Sequence, residues 1–365
     1  MTKRDHQQLT QQYSTWGDKL LQHTDVLHAI QHERTFRPIT VQLAPCEVCD
    51  SDCPFCSVAE RPLHSYMPFP AIQQALRDLR ALGAKSLELT GGGNPLLYRD
   101  RKSGETINDV IRFAAGLGYE IGIITNSHDL KKLDPSVHAL LKWVRVSLIQ
   151  LDEGREPEDY DFHGFPEERL GFSYIIYDAT DASPRKRRPS AGTTVRSIER
   201  MVRLVDLHPQ VKFVRIAGNC LIKGNNKAVA DKWREVIETM DTHGKVFIKD
   251  IGDDDSPFAG GCYVGAIRPY LAASPTGDGS YHVYTCTSHV LQQRNYDLRH
   301  SLGTTDQIPA IWARMSESYR LFGFPYQIDG NGGCGWDATC KFCFYRFNNQ
   351  ILHTVAHEMP DKNFA

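Results

Sequence analysis

Alternating strand-like and helix-like segments between residues 40 and 242 constrain the fold most strongly. Short apolar runs recur between longer segments of helical periodicity, a pattern that predicts parallel strands joined by right-handed helical crossovers. About six such units predict an α/β fold, a partial (β/α)6 TIM-like barrel with its site at the C-terminal strand ends. The predicted strands are 40–45, 86–93, 120–126, 144–150, 172–178 and 212–218, and the predicted helices are 70–84, 106–118, 129–143, 194–207 and 226–242.

The pattern changes after residue 250, where the helical periodicity fades. Residues 266–286 predict a β-hairpin that turns at Thr276-Gly277-Asp278-Gly279, and residues 307–322 predict a helix. We therefore expect three parts. These are an N-terminal helical extension at the periphery over 1–38, the barrel over 39–250, and a small hairpin-and-helix domain over 251–365.

The composition is typical of a soluble globular enzyme, with 41% hydrophobic and 24% charged residues. A net charge of −2 means that a polyanionic partner would need a local basic patch. No apolar run approaches a membrane span, and the polar N-terminus lacks the apolar core of a signal peptide. We expect a cytoplasmic protein whose ten cysteines are reduced and serve metal binding or catalysis.

Four cysteines lie within residues 46–56, directly after the first predicted strand. Cys49, Cys53 and Cys56 have the spacing C-x3-C-x2-C, which suits a [4Fe–4S] cluster with one iron left open. Including Cys46 gives C-x2-C-x3-C-x2-C, whereas ferredoxins use C-x2-C-x2-C-x3-C-P. Structural zinc sites usually separate their CxxC pairs by about a dozen residues or more. Zinc and a fully ligated cluster are the alternatives to the open cluster.

The C-x3-C-x2-C motif resembles that of the radical S-adenosylmethionine (SAM) superfamily, and the stretch LELTGGGNPLLYRD supports this resemblance. In that family SAM chelates the open iron, and its reductive cleavage gives a 5′-deoxyadenosyl radical. Gly92, Gly93, Asn94 and Pro95 match the family's Gly-Gly-Glu-Pro turn, which implies a contact with the SAM amino group. Asn94 replaces the usual glutamate, so its amide oxygen would accept the ammonium hydrogen bond without charge assistance.

Four further positions match the family's SAM-binding elements. Phe55 directly precedes the last cysteine of the motif, and Asn126 ends the third predicted strand. Ser147 on the fourth strand would meet the SAM ribose or carboxylate, and Ile216 would back the adenine. A role in the core or at a strand end is the alternative for Asn126, Ser147 and Ile216.

A second cysteine group follows in the last third of the chain. Together with the stretch LGTTDQIPAIW, it resembles the shortened SPASM, or twitch, domain of the same superfamily. The resemblance implies that Cys262, Cys286, Cys340 and Cys343 ligate an auxiliary [4Fe–4S] cluster. Zinc, a three-cysteine cluster that binds substrate, and Cys334 in place of Cys262 are alternatives. Cys46 and Cys220 are then left over and are expected to be packing residues, with a radical relay as the alternative for Cys46.

A basic loop gives the main indication of substrate. Arg185, Lys186, Arg187 and Arg188 follow the fifth predicted strand, so we expect them at the rim, where they suit phosphate groups. A solvated loop, or pairing with the acidic loop 152–169, is the alternative.

Three substrate hypotheses follow. The first is a base or base adduct in nucleic acid, the second is a peptide, as for a peptide-modifying or sulfatase-maturing enzyme, and the third is a small molecule such as an amino sugar. The resemblance also implies a reductant such as flavodoxin or ferredoxin. An electron carrier with two clusters is the non-enzymatic alternative. We expect Tyr174, Tyr177, Tyr270, His353 and His357 to be packing or surface residues.

Overall fold

The computed structural model describes residues 3–14, 17–179, 192–219, 226–240, 243–249, 262–287, 295–326, 343 and 345–357. Its α-helices are α1 Lys3–Tyr13, α2 Thr24–His28, α3 Phe69–Ala81, α4 Ile107–Gly116, α5 Pro135–His138, α6 Ile149–Asp152, α7 Val195–Leu207, α8 Asn226–Met240, α9 Val264–Ile267, α10 Ile308–Phe322 and α11 Arg346–Ala356. Short 3-10 or π turns cover Gly17–Gln22, Ala29–Glu33, Pro95–Leu97, Pro157–Asp159, Glu167–Arg169, Leu298–His300 and Thr305–Gln307.

The strands form one sheet in the order β10-β9-β8-β1-β2-β3-β4-β5-β6-β7. They are β1 Thr40–Leu43, β2 Ser86–Leu89, β3 Glu120–Thr125, β4 Leu141–Ser147, β5 Leu170–Ile176, β6 Val214–Gly218, β7 Val246–Ile248, β8 Tyr270–Ala273, β9 Tyr281–Tyr284 and β10 Ser301–Thr304. Strands β1 to β7 are parallel and lie in chain order, which confirms the predicted α/β class with a partial barrel.

Helices cover the outer face of the parallel strands because each carries an apolar stripe. In α3 the buried positions Ile72, Ala75, Leu76 and Leu79 recur at the spacing of one helix face. A capping box between Thr106 and Asp109 begins α4 by satisfying free backbone N–H groups. Apolar periodicity thus accounts for the packing of α3, and a start signal accounts for the beginning of α4.

Two predictions for this region were wrong in detail. The segment 129–143 is mostly not helical, since only α5 forms there and β4 already begins at Leu141. A seventh parallel strand, β7, also follows α8 and had been missed because it is only three residues long.

The predicted hairpin at 266–286 is present, with β8 and β9 paired antiparallel. Strand β8 also pairs in parallel with β1, so the sheet continues across the domain boundary expected near residue 250. The helix α10 forms as predicted over Ile308–Phe322. The C-terminal strands are therefore an extension of the barrel sheet.

Inward-facing positions of the barrel strands are unusually polar. Gln42 on β1, Glu88 on β2, Arg145 on β4 and Arg215 on β6 all line cavities inside the barrel. Their strand neighbours, such as Val144 and Val146, are fully buried on the opposite face. Because side chains alternate along a strand, the barrel keeps its apolar packing beneath the helices and leaves its interior polar.

The N-terminal extension contacts the bottom of the barrel. Tyr13 stacks on Phe213 with ring centroids 4.4 Å apart. Trp143 and Phe213 fill the space that side chains at Gly122 and Gly171 would need. The extension thus packs against an aromatic layer at the N-terminal strand ends. In the part of the chain that the structure describes, no helix is long and apolar enough to cross a membrane.

Candidate functional site

A cavity of about 390 Å³ lies at the C-terminal ends of the parallel strands. Strands as far apart in the sheet as β1 and β6 both contribute to its wall, so the sheet curves around it. Its lining includes Cys49, Cys53, Phe55, Cys56, Gly91, Gly92, Gly93, Asn126, Ser147, Ala217, Tyr270, Thr287 and Tyr345. The cavity thus lies between the first cysteine motif and the neighbours of the second cysteine group.

The glycine turn, residues 90–95, is hydrogen-bonded to the Cys loop, residues 46–61. Gly93 N donates to the Cys46 carbonyl at 3.1 Å, and Asn94 N donates to the Val48 carbonyl at 2.7 Å. A methyl group at Gly93 would overlap the Val48 carbonyl, and one at Gly92 would overlap the Glu47 carboxylate. Glycine is needed here because the backbones of the turn and the Cys loop approach each other closely. The sequence predicted close approach of a ligand to this turn, and the structure adds the close approach of the Cys loop.

Asn94 is placed differently from the expectation. Its side chain is only 1% exposed and is absent from the cavity lining. Its oxygen accepts from Leu96 N and Thr125 Oγ1, and its nitrogen donates to Asp50 and Ser127. All four hydrogen-bonding positions are therefore used within the protein, and the expected contact with an ammonium group is not available in this arrangement.

Of the other predicted SAM contacts, Phe55, Asn126 and Ser147 line the cavity, whereas Pro95 and Ile216 do not. Ile216 is fully buried, and its neighbours Arg215 and Ala217 face the cavity instead. Strand alternation explains this difference, because Ile216 lies on the outer face of β6.

Buried charges surround the three cysteines. Burial raises the pKa of the Cys49 and Cys53 thiols. Arg61 lies beside them, with Nη1 donating to Cys56 Sγ at 3.5 Å and Nε donating to the Glu47 carbonyl at 2.9 Å. A positive charge at this place favours thiolates over thiols.

Glu47 connects the Cys loop to the C-terminal strands. Its carboxylate accepts from Tyr296 Oη at 2.7 Å and from Ala273 N at 3.4 Å, and lies 3.6 Å from Arg61 Nε. Complete burial raises the pKa of Glu47 to about 7. The sequence offered no signal for this residue beyond its position next to Cys46.

Cys46 does not share the cavity. It is 2% exposed, its thiol donates to the Asn94 carbonyl at 3.4 Å, and burial raises its pKa to about 12. A buried neutral thiol in this position packs beneath the glycine turn.

The remaining three thiols suit an iron–sulfur cluster. Among the described residues, no three His, Cys, Asp or Glu side chains are arranged to hold one metal ion. A [4Fe–4S] cluster instead takes each thiolate on a separate iron. The three cysteines that line one cavity, beside Arg61, therefore fit such a cluster with one iron open to the cavity.

The second cysteine group is partly described. Cys262, Cys286 and Cys343 pack together with Val264 and Tyr345 in one small cluster. Cys340, Cys334 and Cys220 lie outside the described residues, as do Arg185, Lys186, Arg187 and Arg188. The structure thus brings together three of the four cysteines expected to hold an auxiliary cluster.

Hydrogen bonds join this second group to the barrel interior. Thr287 Oγ1, next to Cys286, lies 2.7 Å from Tyr345 Oη and donates to Gln42 Oε1 at 3.1 Å. Tyr270, expected to be only a packing residue, lines the cavity beside them. The first cysteine group lines the cavity directly, and the second reaches it through its neighbours Thr287 and Tyr345.

Two carboxylates of the acidic loop pair with a helix, whereas the expected alternative partner, residues 185–188, lies outside the described residues. Glu156 forms ion pairs with Arg196 and Arg200, and Glu158 pairs with Arg203. All three arginines belong to α7, so these carboxylates are neutralised by a neighbouring helix. His357, expected to be a packing or surface residue, hydrogen-bonds Tyr263 Oη at 2.9 Å.

No family model and no curated protein matches this chain. Solved structures with a similar fold include SuiB of Streptococcus suis, 14% identical over 90% of this chain and 76% of SuiB, with a TM-score of 0.48. In its complex with the precursor peptide SuiA, the identity is 15%, the coverage is 76% of this chain and 66% of SuiB, and the TM-score is 0.47.

Two other similar structures are complexes with AdoMet. BtrN with AdoMet and 2-DOIA is 12% identical over 81% of this chain and 91% of BtrN, with a TM-score of 0.40. Native anSMEcpe with AdoMet and a Cp18Cys peptide is 12% identical over 88% of this chain and 99% of anSMEcpe, with a TM-score of 0.45.

Proposed function

We propose that this protein is a radical SAM enzyme. The observation that carries the proposal is that Cys49, Cys53 and Cys56 line one cavity with the glycine turn, Asn126 and Ser147. Three thiolates leave one iron of a [4Fe–4S] cluster open, and the glycine backbone at residues 91–93 lets a ligand approach closely. When bound, the cluster and SAM would supply a 5′-deoxyadenosyl radical for hydrogen abstraction.

The chain's own residues would hold and orient these groups. Arg61 donates to Cys56 Sγ and to the Glu47 and Val58 carbonyls, which fixes the Cys loop. Asn126 Nδ2 donates to Ser51 Oγ at 2.5 Å and holds the same loop from β3. Phe55 packs edge-on against Tyr177 with centroids 5.1 Å apart, which gives one wall of the cavity a fixed apolar surface.

We further propose that Cys262, Cys286, Cys340 and Cys343 hold an auxiliary [4Fe–4S] cluster, reduced like the first by a flavodoxin or ferredoxin. Three of these cysteines pack together, and the neighbours of two of them line the cavity. An auxiliary cluster here would take up or return an electron close to the substrate. The alternative is that the enzyme abstracts hydrogen from its substrate without an auxiliary cluster.

For the substrate we favour a peptide side chain, with a small molecule as the second candidate. A cavity of about 390 Å³ has the size of a small-molecule site, and SAM would fill part of it, which leaves room for no more than one side chain or a small molecule. A base in a nucleic acid would have to leave its stack to enter the same space, at a cost of a few kcal/mol. The nucleic-acid hypothesis depends on residues 185–188, outside the described residues.

Iron and SAM cleavage test the proposal together. The full chain is reconstituted anaerobically with iron and sulfide, and iron and 5′-deoxyadenosine are measured with reductant and SAM. About eight irons per chain are expected, falling to about four in the Cys49/Cys53/Cys56→Ala variant, which forms no 5′-deoxyadenosine. Cys46→Ala is the matched control. It should keep about eight irons per chain and still form 5′-deoxyadenosine, because Cys46 lies outside the cavity.

A wild-type chain that binds iron but never cleaves SAM would overturn the proposal. Iron that remains unchanged in the triple variant would do so as well. About four irons accompanied by zinc would instead assign a structural metal to the second cysteine group.

A further inference from the structure

A layer of charged side chains forms the floor of the cavity. Glu88, Arg145 and Arg268 line both this cavity and a second one, of about 540 Å³, on the N-terminal side of the barrel. Arg215 lines the upper cavity only. Three guanidinium groups therefore share the barrel interior with a single carboxylate in this layer.

That carboxylate already has its partners. Glu88 Oε1 accepts from Gln42 Nε2 at 2.6 Å, and Glu88 Oε2 accepts from Arg268 Nη2 at 2.9 Å. Although burial opposes it, the charges of Arg268 and Arg145 lower the pKa of Glu88, so the carboxylate is ionised at neutral pH. Arg268 and Glu88 thus form an ion pair, and two cations of the layer are left over.

Arg145 and Arg215 are these two cations. Within the described part of the chain, neither forms an ion pair, and the buried Nε of each has no hydrogen-bond partner. Burial lowers the pKa of both, and for Arg215 the neighbouring charge of Arg145 adds to the effect. Guanidinium groups stay charged in proteins, so this environment is unfavourable unless an anion enters.

Strand register places the two arginines on either side of one strand. Arg145 on β4 aligns with Gly171 on β5, and Arg215 on β6 aligns with Ser173. The inward positions of β5 between them therefore carry a hydrogen and a hydroxymethyl group. The ring of Phe213 fills the space beside Gly171, so the space open to a ligand is the cavity above it, which both arginines line.

We infer that Arg145 and Arg215 bind an oxyanion of the substrate, a carboxylate or a phosphate, at the floor of the cavity. The inference rests on the proposed function, because it assigns the substrate to the cavity that the first cysteine motif lines. Paired guanidinium groups suit both anions, since each can donate two parallel hydrogen bonds. Binding the anion at the floor would direct the rest of the substrate towards the cysteines at the top.

Binding of simple oxyanions tests this inference without any turnover. Inorganic phosphate, acetate and neutral acetamide are titrated calorimetrically into the full chain at low salt, without SAM. Phosphate or acetate should bind and acetamide should not. Arg145→Gln and Arg215→Gln should each weaken binding at least tenfold, whereas Arg77→Gln on the exposed face of α3 should not change it.

The two anions distinguish the two sources of an oxyanion. Preference for acetate indicates a carboxylate on the substrate, and preference for phosphate indicates a phosphorylated one. Equal binding of acetamide, or unchanged binding in both arginine variants, would overturn the inference. Loss of SAM binding in Arg215→Gln with phosphate and acetate binding retained would assign the arginine to SAM and would also overturn it.

Stability without ligand separates binding from a structural role. A cation kept for a ligand is not needed for folding, so both Gln variants should melt at or above the wild-type temperature. A variant that melts lower or fails to fold would show that a group of this chain pairs with the arginine, contrary to the inference. SAM cleavage by the wild type tests the proposed function separately, so the two failures are distinguishable.

Discussion

Backbone hydrogen bonds join the Cys loop directly to the glycine turn, in addition to side-chain bonds, whereas the described part of the second cysteine group is held mainly by side chains. Gly93 N and Asn94 N donate directly to carbonyls of the Cys loop. Cys262 instead contacts Tyr326 Oη at 3.0 Å and Asn349 Nδ2 at 3.8 Å. The first site is thus built into the barrel, and the second depends on side chains from separate C-terminal segments.

This difference suggests that the two sites tolerate change differently. Two backbones packed in contact leave no space for an added atom, so the first site should fail abruptly. Side-chain hydrogen bonds can be removed one at a time, at about 1 kcal/mol each, so the second site should weaken gradually. The variants that follow test this contrast.

Gly93→Ala should have the largest effect. The added methyl group overlaps the Val48 carbonyl, and the backbone on both sides is hydrogen-bonded, so neither can move freely. We expect a loss of about 4 kcal/mol in the free energy of unfolding, measured with denaturant, and loss of iron from the first site. Gly116→Ala is the control, since a methyl group there meets no atom.

Asn94→Asp should have the next largest effect on the free energy of unfolding. It places a carboxylate beside Asp50 and removes the donor that Asn94 provides to Asp50 and Ser127. We expect a loss of about 3 kcal/mol at pH 7 and partial recovery at low pH, where a protonated carboxyl can donate again. Ser127→Ala removes a single acceptor and should cost about 1 kcal/mol. A stable Asn94→Asp chain with a full first site would show that the side chain does not hold the loop.

Asp152 lies outside both cysteine groups, so it reports on the stability of the barrel alone. Burial raises its pKa to about 6, and its Oδ1 accepts from Tyr174 Oη at 2.7 Å. The unfolded pKa is about 3.9, so the stability provided by the protonated form is full below about pH 4 and is lost as pH rises through 6.

Asp152→Asn mimics the protonated form at every pH. It should therefore add about 2 kcal/mol to the free energy of unfolding at pH 7 and nothing below about pH 4. Iron content in both sites should not change. Asp129→Asn should act in the opposite direction at pH 7, because the carboxylate of Asp129 pairs with Lys131 and its pKa is lowered despite burial. If Asp152→Asn raised the free energy of unfolding equally at pH 4 and pH 7, this would contradict the raised pKa of Asp152.

The sequence predicted the fold and the first cysteine site only in part. Apolar periodicity identified β1 to β6 and most of the helices, and the spacing of Cys49, Cys53 and Cys56 identified three residues that share a cavity. Asn94 was expected to face the ligand because a motif match carries no information about side-chain direction. Its direction follows from contacts with Thr125 and Ser127, far along the chain.

The polar floor of the barrel could have been predicted. In the stretch VRVS, Arg145 alternates with valines and shares its strand face with Ser147, and Arg215 and Ala217 repeat this pattern on β6. That alternation also excludes Ile216 from the cavity. The pairing of Glu88 with Arg268 could not be foreseen, because these residues are 180 positions apart in sequence and meet only through the pairing of β8 with β1.

Tyr345→Phe tests the second site and should have the smallest effect. It removes the hydroxyl that bonds Thr287, but Thr287 can still donate to Gln42, so no buried group is left without a partner. We expect a loss of about 1 kcal/mol and a changed electron paramagnetic resonance signal from the second site only. Tyr296→Phe is the matched variant for the first site, because it removes the donor to the buried Glu47 carboxylate. If each variant instead altered the electron paramagnetic resonance signal of the other cysteine site, the two sites would be coupled through the cavity. The difference between the first site, built into the barrel, and the second, held mainly by side chains, would then not hold.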